Sequence, residues 1–180
     1  MKLSKIALAV IALASFGSAF AAGSNVVLGS LNQNQAGTSN NQVAEIGDTF
    51  SGGTSNVYLF GGVNQLQDGT SNQQTMTIGN AQNGGTSNVY SYWWTNVGQE
   101  QHGTSNYQEM DVGDADNGHT SNVTIWGGVQ QTQLAGGSGN SQYLYMGEAM
   151  NGDTNVNVGL VTQTQGGTSN SQQADIGNAW

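Results

Sequence analysis

The stretch Val63-Asn64-Gln65-Leu66-Gln67-Asp68-Gly69-Thr70-Ser71-Asn72-Gln73-Gln74-Thr75-Met76-Thr77-Ile78-Gly79 holds two alternating runs joined by a Gly-Thr-Ser-Asn corner. A strand turns successive side chains to opposite faces, so Val63, Gln65 and Gln67 share one face, and Gln74, Met76 and Ile78 share another. The first run returns as Leu31-Gln33-Gln35, Val97-Gln99-Gln101, Val129-Gln131-Gln133 and Val161-Gln163-Gln165. The second returns as Gln42-Ala44-Ile46, Gln108-Met110-Val112, Gln142-Leu144-Met146 and Gln172-Ala174-Ile176.

Gly-Thr-Ser-Asn or a close variant recurs with its Asn at 25, 40, 56, 72, 88, 106, 122, 140, 155 and 170. Alternate intervals differ in content, so the repeating unit is a pair, a rung of about 32 residues starting at Asn25, Asn56, Asn88, Asn122 and Asn155. Regular self-similarity on this scale predicts a solenoid. Residues between the repeated positions vary: Thr75 and Thr77 in one rung correspond to Glu109 and Asp111, then to Tyr143 and Tyr145. The repeated positions are therefore expected inside and the variable ones in solvent. Val26, Val57, Val89, Val123 and Val156 add an apolar column. Gly47, Gly79, Gly113, Gly147 and Gly177 end the second runs, and the Gly-Thr-Ser elements supply corners that tolerate positive φ. The absence of Pro suits strands hydrogen-bonded on both sides. Extra length concentrates in Tyr92-Trp93-Trp94-Thr95-Asn96, where a loop can bulge without disturbing the ladder.

The few inward aliphatic side chains of one rung cannot offset the conformational entropy lost on ordering it. Stacking rungs about 4.8 Å apart pairs every strand above and below, and aligned Gln amides then form ladders along the same axis. The expected fold is all-β, an amyloid-like parallel β-solenoid of five rungs. Monomeric solenoids need polar caps; no cap is evident before Asn25 or towards Trp180, so head-to-tail self-association into a filament is expected.

Lys2 and Lys5, the apolar run Ile6 to Phe16 and the small-residue site Ala19-Phe20-Ala21 predict a secretory signal peptide over 1-21, leaving a solenoid domain over 22-180. The apolar run is shorter than the roughly 20 residues that span a bilayer, so no membrane insertion is expected. Both lysines leave with the leader; eleven acids against no Lys or Arg give a charge of -11. Such a surface repels nucleic-acid phosphates and anionic lipids. With no Cys, neither disulfides nor thiolate metal sites are available.

Glu109, Asp111, Asp114 and Asp116 gather in the third rung but lack the spacing of a calcium loop and read as solvated charge. His102 and His119, placed in corners, do not recur, so no metal site, cofactor or catalytic constellation is expected. Tyr58, Phe60, Tyr90, Tyr92, Trp93, Trp94, Trp126, Tyr143 and Tyr145 fall at outward positions, as decoration or as a stripe for lateral contacts or sugars. That stripe leaves open a monomeric glycan-binding adhesin. Thr54, Thr86 and Thr120, with Thr38, Thr70 and Thr104, leave open an ice-binding solenoid, although each column lies at a bend.

Four corners carry the element QxGxxN: Gln35 to Asn40, Gln67 to Asn72, Gln101 to Asn106 and Gln165 to Asn170. The fourth rung instead reads Gln133-Leu134-Ala135-Gly136-Gly137-Ser138-Gly139-Asn140. In this element the chain resembles the curlin subunits of bacterial curli. It differs in a longer rung and in the apolar residue at Ile46, Ile78, Val112, Met146 and Ile176, where curlins carry a second Gln. The resemblance implies secretion through an outer-membrane export channel, nucleated polymerisation at the cell surface, and a role in biofilm matrix and adhesion.

Overall fold

The computed structural model describes residues 23–39, 41–49, 51–92, 95–134, 139–166 and 169–178. The expected signal peptide, Trp93, Trp94 and residues 135–138 of the divergent 133–140 corner lie outside them. The described residues form fifteen strands and no helix. The first rung comprises β1 (Ser24–Leu28), β2 (Leu31–Thr38) and β3 (Asn41–Ile46), and the second β4 (Ser55–Leu59), β5 (Val63–Thr70) and β6 (Gln73–Ile78). The third has β7 (Ser87–Ser91), β8 (Val97–Thr104) and β9 (Tyr107–Val112). The fourth has β10 (Ser121–Ile125), β11 (Val129–Leu134) and β12 (Ser141–Met146), and the fifth β13 (Asn155–Val158), β14 (Val161–Gln165) and β15 (Ser171–Ile176).

Three five-stranded sheets run up the stack, in the orders β1-β4-β7-β10-β13, β2-β5-β8-β11-β14 and β3-β6-β9-β12-β15, and every pairing is parallel. The fold is a five-rung parallel β-solenoid. Each rung has three sides, because the first half of the sequence unit breaks into two strands at Gly29-Ser30 and its equivalents. Register is kept throughout: Gln65 lies opposite Gln33 and Gln99, and Met76 opposite Ala44 and Met110.

Alternation places Ser55, Val57 and Leu59 of β4, Val63, Gln65 and Gln67 of β5, and Gln74, Met76 and Ile78 of β6 inside. The interior is thus divided. Amides fill the corner between the second and third sheets, and Val57, Leu59, Val63, Met76 and Ile78 with their counterparts form one continuous apolar cluster. The Leu59 and Ile125 column and the buried Ala81, Ala115 and Ala149 belong to this interior as well.

The Gly-Thr-Ser-Asn corners are of two kinds. Between the second and third sides the Ser is left-handed, with φ of 57, 56, 55 and 58° at Ser39, Ser71, Ser105 and Ser169, and Gly139 (φ 81°) takes that place in the fourth rung. Asn72, Asn106 and Asn140, which follow Ser71, Ser105 and Gly139, turn inward and are buried. Between the third and first sides the left-handed pair lies one residue earlier, at Gly53-Thr54, Gly85-Thr86 and His119-Thr120. That shift turns Ser55, Ser87 and Ser121 inward and the rung-starting Asn outward. Positive φ is unfavourable for a β-branched Thr. The corner backbone is held by the next rung: Thr54 N–H donates to Gly85 O (2.9 Å), Ser55 N–H to Thr86 O (2.9 Å) and Thr86 N–H to His119 O (2.8 Å). At Gly79, φ is +80°, and an added Cβ would meet Val89 Cγ2 at 2.3 Å, so this strand end admits only Gly.

The inserted link of the third rung is pinned at its base. Thr95 is buried, its hydroxyl donates to Leu59 O (3.2 Å), and its N–H donates to Tyr92 O (2.8 Å).

Candidate functional site

Three columns of five amides run the length of the stack: Gln33, Gln65, Gln99, Gln131, Gln163; Gln35, Gln67, Gln101, Gln133, Gln165; and Gln42, Gln74, Gln108, Gln142, Gln172. In each, Nε2 donates to Oε1 of the preceding rung, at 2.7, 2.9, 3.3 and 2.8 Å in the first column. The second column spans 2.8 to 3.2 Å. The third spans 2.6 to 2.9 Å. All twelve bonds point towards the first rung.

The backbone sets that direction. In the two columns of the second sheet, Nε2 has a second hydrogen, which it donates across the core to a carbonyl of the third sheet. Gln65 reaches Thr75 O (3.3 Å), Gln99 reaches Glu109 O (2.9 Å), Gln67 reaches Gln73 O (3.0 Å) and Gln101 reaches Tyr107 O (3.0 Å). A reversed amide would bring its oxygen against that carbonyl, so one polarity is selected along the whole stack. In the middle rungs these Gln side chains are at most 1% exposed, and their hydrogen bonds make that burial tolerable.

Repeated polar residues also occur outside, where only variable positions were expected. Asn56, Asn88 and Asn122 donate to Asn25, Asn56 and Asn88 at 2.9, 2.9 and 3.1 Å. These outer ladders share the polarity of the inner ones. Their signal in the sequence was the same recurrence that marked the Gln columns. The buried corner Asn could not be told from them, because both follow the same tetrapeptide.

The apolar columns differ between the middle and the ends. Val63, Val97, Val129, Ile78, Val112 and Met146 are buried, Ile46 remains so in the first rung, and Leu31 and Val161 are partly buried. In the last rung the inward positions Gln172, Ala174 and Ile176 are exposed, Ile176 at 47%. The strands β13, β14 and β15 each have one partner, as do β1, β2 and β3. Among the described residues nothing covers the core face of β15.

Outside, Tyr58 stacks on Tyr90 (centroids 5.3 Å apart) and Phe60 on Tyr92 (4.5 Å) in columns between rungs, while Tyr143 and Tyr145 (6.4 Å) are neighbours along β12. The outward Thr38, Thr70 and Thr104 form a single file in register.

The acids depart from the expectation of free solvation. Asp111 and Asp114 are each partly buried, with one carboxylate oxygen lacking a hydrogen-bond partner. Burial, then the negative charges of Glu148, Asp114 and Glu109, push Asp111 up to about 7. Burial and Glu148 push Asp114 up to about 6, against a backbone hydrogen bond from Ala115. Among the described residues no three acidic or His side chains converge to hold a metal ion. His102 lies within β8 rather than in a corner, 2.7 Å from Glu100 and 3.4 Å from Asp68, so its placement as a solvated corner residue is corrected. His119 does occupy a corner, at φ 52°. Compared with protein-family models, curated proteins and solved structures, the chain finds no match.

Proposed function

We propose that the chain is the structural subunit of a secreted, curli-like extracellular fibre that grows by head-to-tail stacking. The observation that carries this reading is the exposed core face of the last rung, with Ile176 at 47%, above amide ladders that all share one polarity. An unpaired strand edge is a template for another strand. Continuing the register sets β1, β2 and β3 of one chain on β13, β14 and β15 of the next. Gln35 then donates to Gln165, Gln42 to Gln172, and Ile46 covers Ile176. A tail-to-tail joint would oppose oxygen to oxygen, so the fibre is polar. The QxGxxN corners support kinship with curlins, and the leader supports secretion through an export channel with a surface nucleator, serving biofilm matrix and adhesion.

The test is incubation of the mature chain, residues 22-180, followed by negative-stain microscopy and fibre diffraction. Fibres with a meridional reflection near 4.7 to 4.8 Å are expected. Ile176→Asp, which places a charge on the open face, should fold but elongate poorly. A wild-type chain that stays monomeric through prolonged incubation refutes the proposal.

A further inference from the structure

On the first sheet, one outward column reads Val27, Tyr58, Tyr90, Thr124 and Asn157 in register. Immediately after the strands, Phe60, Tyr92 and Trp126 form a second file. The first column stops its aromatic run one rung before the second. Thr124 follows Tyr90 where a third ring would continue the stack, while Trp126 stands beside it, 46% exposed. The shortfall leaves a cleft of about 280 Å³ lined by Tyr58, Tyr90, Ser91, Tyr92, Thr124 and Trp126.

Its chemistry is narrow. The walls are aromatic, and the polar groups are hydroxyls of Tyr, Ser and Thr, with Ser91 Oγ itself donating to Thr124 O (3.2 Å). No lining residue is charged, and the chain without its leader carries eleven acids and neither Lys nor Arg. An aromatic face is electronegative and attracts weakly positive C–H groups. Hydroxyls along the rim can exchange hydrogen bonds with a ligand that is both donor and acceptor. A pyranose ring presents this combination, an apolar C–H face and a hydroxyl edge, and the cleft is near the lower end of ligand-pocket sizes, about 300–1,000 Å³. An anionic sugar would meet the field of the acidic surface without a compensating cation.

We infer that this notch is a binding site for a neutral pyranose unit of a polysaccharide, with Tyr90 and Trp126 as the stacking platforms and Thr124 as the floor. The site lies on the flank of the stack and does not depend on fibre formation. If chains do stack, it recurs once per subunit and gives the flank multivalent contact with a glycan.

The test is calorimetric titration of the mature chain with cellohexaose and maltohexaose as neutral probes and hexagalacturonate as the anionic one. Saturable binding of at least one neutral probe is expected, with the anionic probe at least tenfold weaker. Thr124→Tyr fills the notch by extending the tyrosine column, and Trp126→Ala removes an exposed platform; each should weaken binding about tenfold, the scale of one lost stacking contact. Tyr145→Ala, on a different sheet, should not change it. Circular dichroism of each variant checks folding, and exposed Trp126 provides the variant least able to disturb it. Absence of neutral binding, equal binding of hexagalacturonate, or wild-type affinity in both notch variants overturns the inference. So does a result in which Thr124→Tyr abolishes only side-by-side association of stacks, which would make the notch a self-contact.

Discussion

Replacing Gln99 by Ala removes a side chain 1% exposed that holds three hydrogen bonds: Nε2 to Gln65 Oε1 (2.9 Å), Nε2 to Glu109 O (2.9 Å), and Oε1 from Gln131 Nε2 (3.3 Å). Truncation leaves Gln65 Oε1 without its donor from the rung above and Gln131 with only its bond to Tyr143 O (2.8 Å). Each buried polar group left unsatisfied costs about 1–3 kcal/mol. Two to three such groups give about 2–9 kcal/mol, before any cavity cost. In urea unfolding of the unpolymerised mature chain, with an m-value of about 2 kcal/mol/M, the midpoint should fall by about 1–4.5 M. Val43→Thr, at an outward position 45% exposed, should stay within about 0.5 kcal/mol. A double-mutant cycle of Gln65→Ala with Gln99→Ala should show coupling above about 0.5 kcal/mol, since the two losses share one bond. The reasoning fails if Gln99→Ala matches Val43→Thr, or if the two Gln variants add without coupling.

Gly79→Ala combines φ +80° with a Cβ 2.3 Å from Val89 Cγ2, and should destabilise by about 1–3 kcal/mol in the same unfolding assay. His119→Gly relieves a left-handed non-Gly residue at the position where Gly53 and Gly85 stand in neighbouring rungs, and should raise stability by about 1 kcal/mol. Asp111, at about 7 when folded against 3.8 as its ordinary value, binds its proton more tightly in the folded chain. Its stabilising contribution is therefore complete below pH of about 4 and is lost as pH rises through 7, by up to about 4 kcal/mol. Asp114 loses its own share through about 6. Stability measured across this window should decline with pH, and Asp111→Asn should flatten the decline; an unchanged slope would contradict the assigned burial.

The columns were legible because period-two alternation and recurrence together identify an inward face, as at Val63, Gln65 and Gln67. The three-sided cross-section was not, since the break between Leu59 and Val63 is marked only by Phe60-Gly61-Gly62 and the equivalent link in the first rung is just two residues. Nor could the tetrapeptide announce its two geometries. Thr70-Ser71 and Thr86-Ser87 are the same letters, and the left-handed residue is Ser71 in one and Thr86 in the other because different backbone precedes them. Ala81, Ala115 and Ala149 recur two residues after a strand-ending Gly and could have been found by the test of recurrence that found the Gln columns. The raised proton affinity of Asp111 and Asp114 comes first from burial and then from the like charge of Glu148 one rung away, a neighbour that only the stacking supplies.

Amide and apolar columns contribute differently to this stack. Ile, Val and Met exchange at Ile46, Ile78, Val112 and Met146 without disturbing the column, because burial is non-directional and tolerates changes of shape that conserve volume. Such a column stabilises contact between rungs but discriminates weakly among registers. The Gln columns do discriminate. A shift by one residue would expose every amide and bury the outward side chains, while loss of alignment along the axis would break up to three bonds per rung. Interval lengths can therefore vary, as between Asn56 and Asn88 and between Asn88 and Asn122, because the surplus is expelled into links while the amides keep the pairing. The same discrimination would act at a joint between two chains, where no covalent link supplies the register and only side chains such as Gln165 and Gln172 can set it.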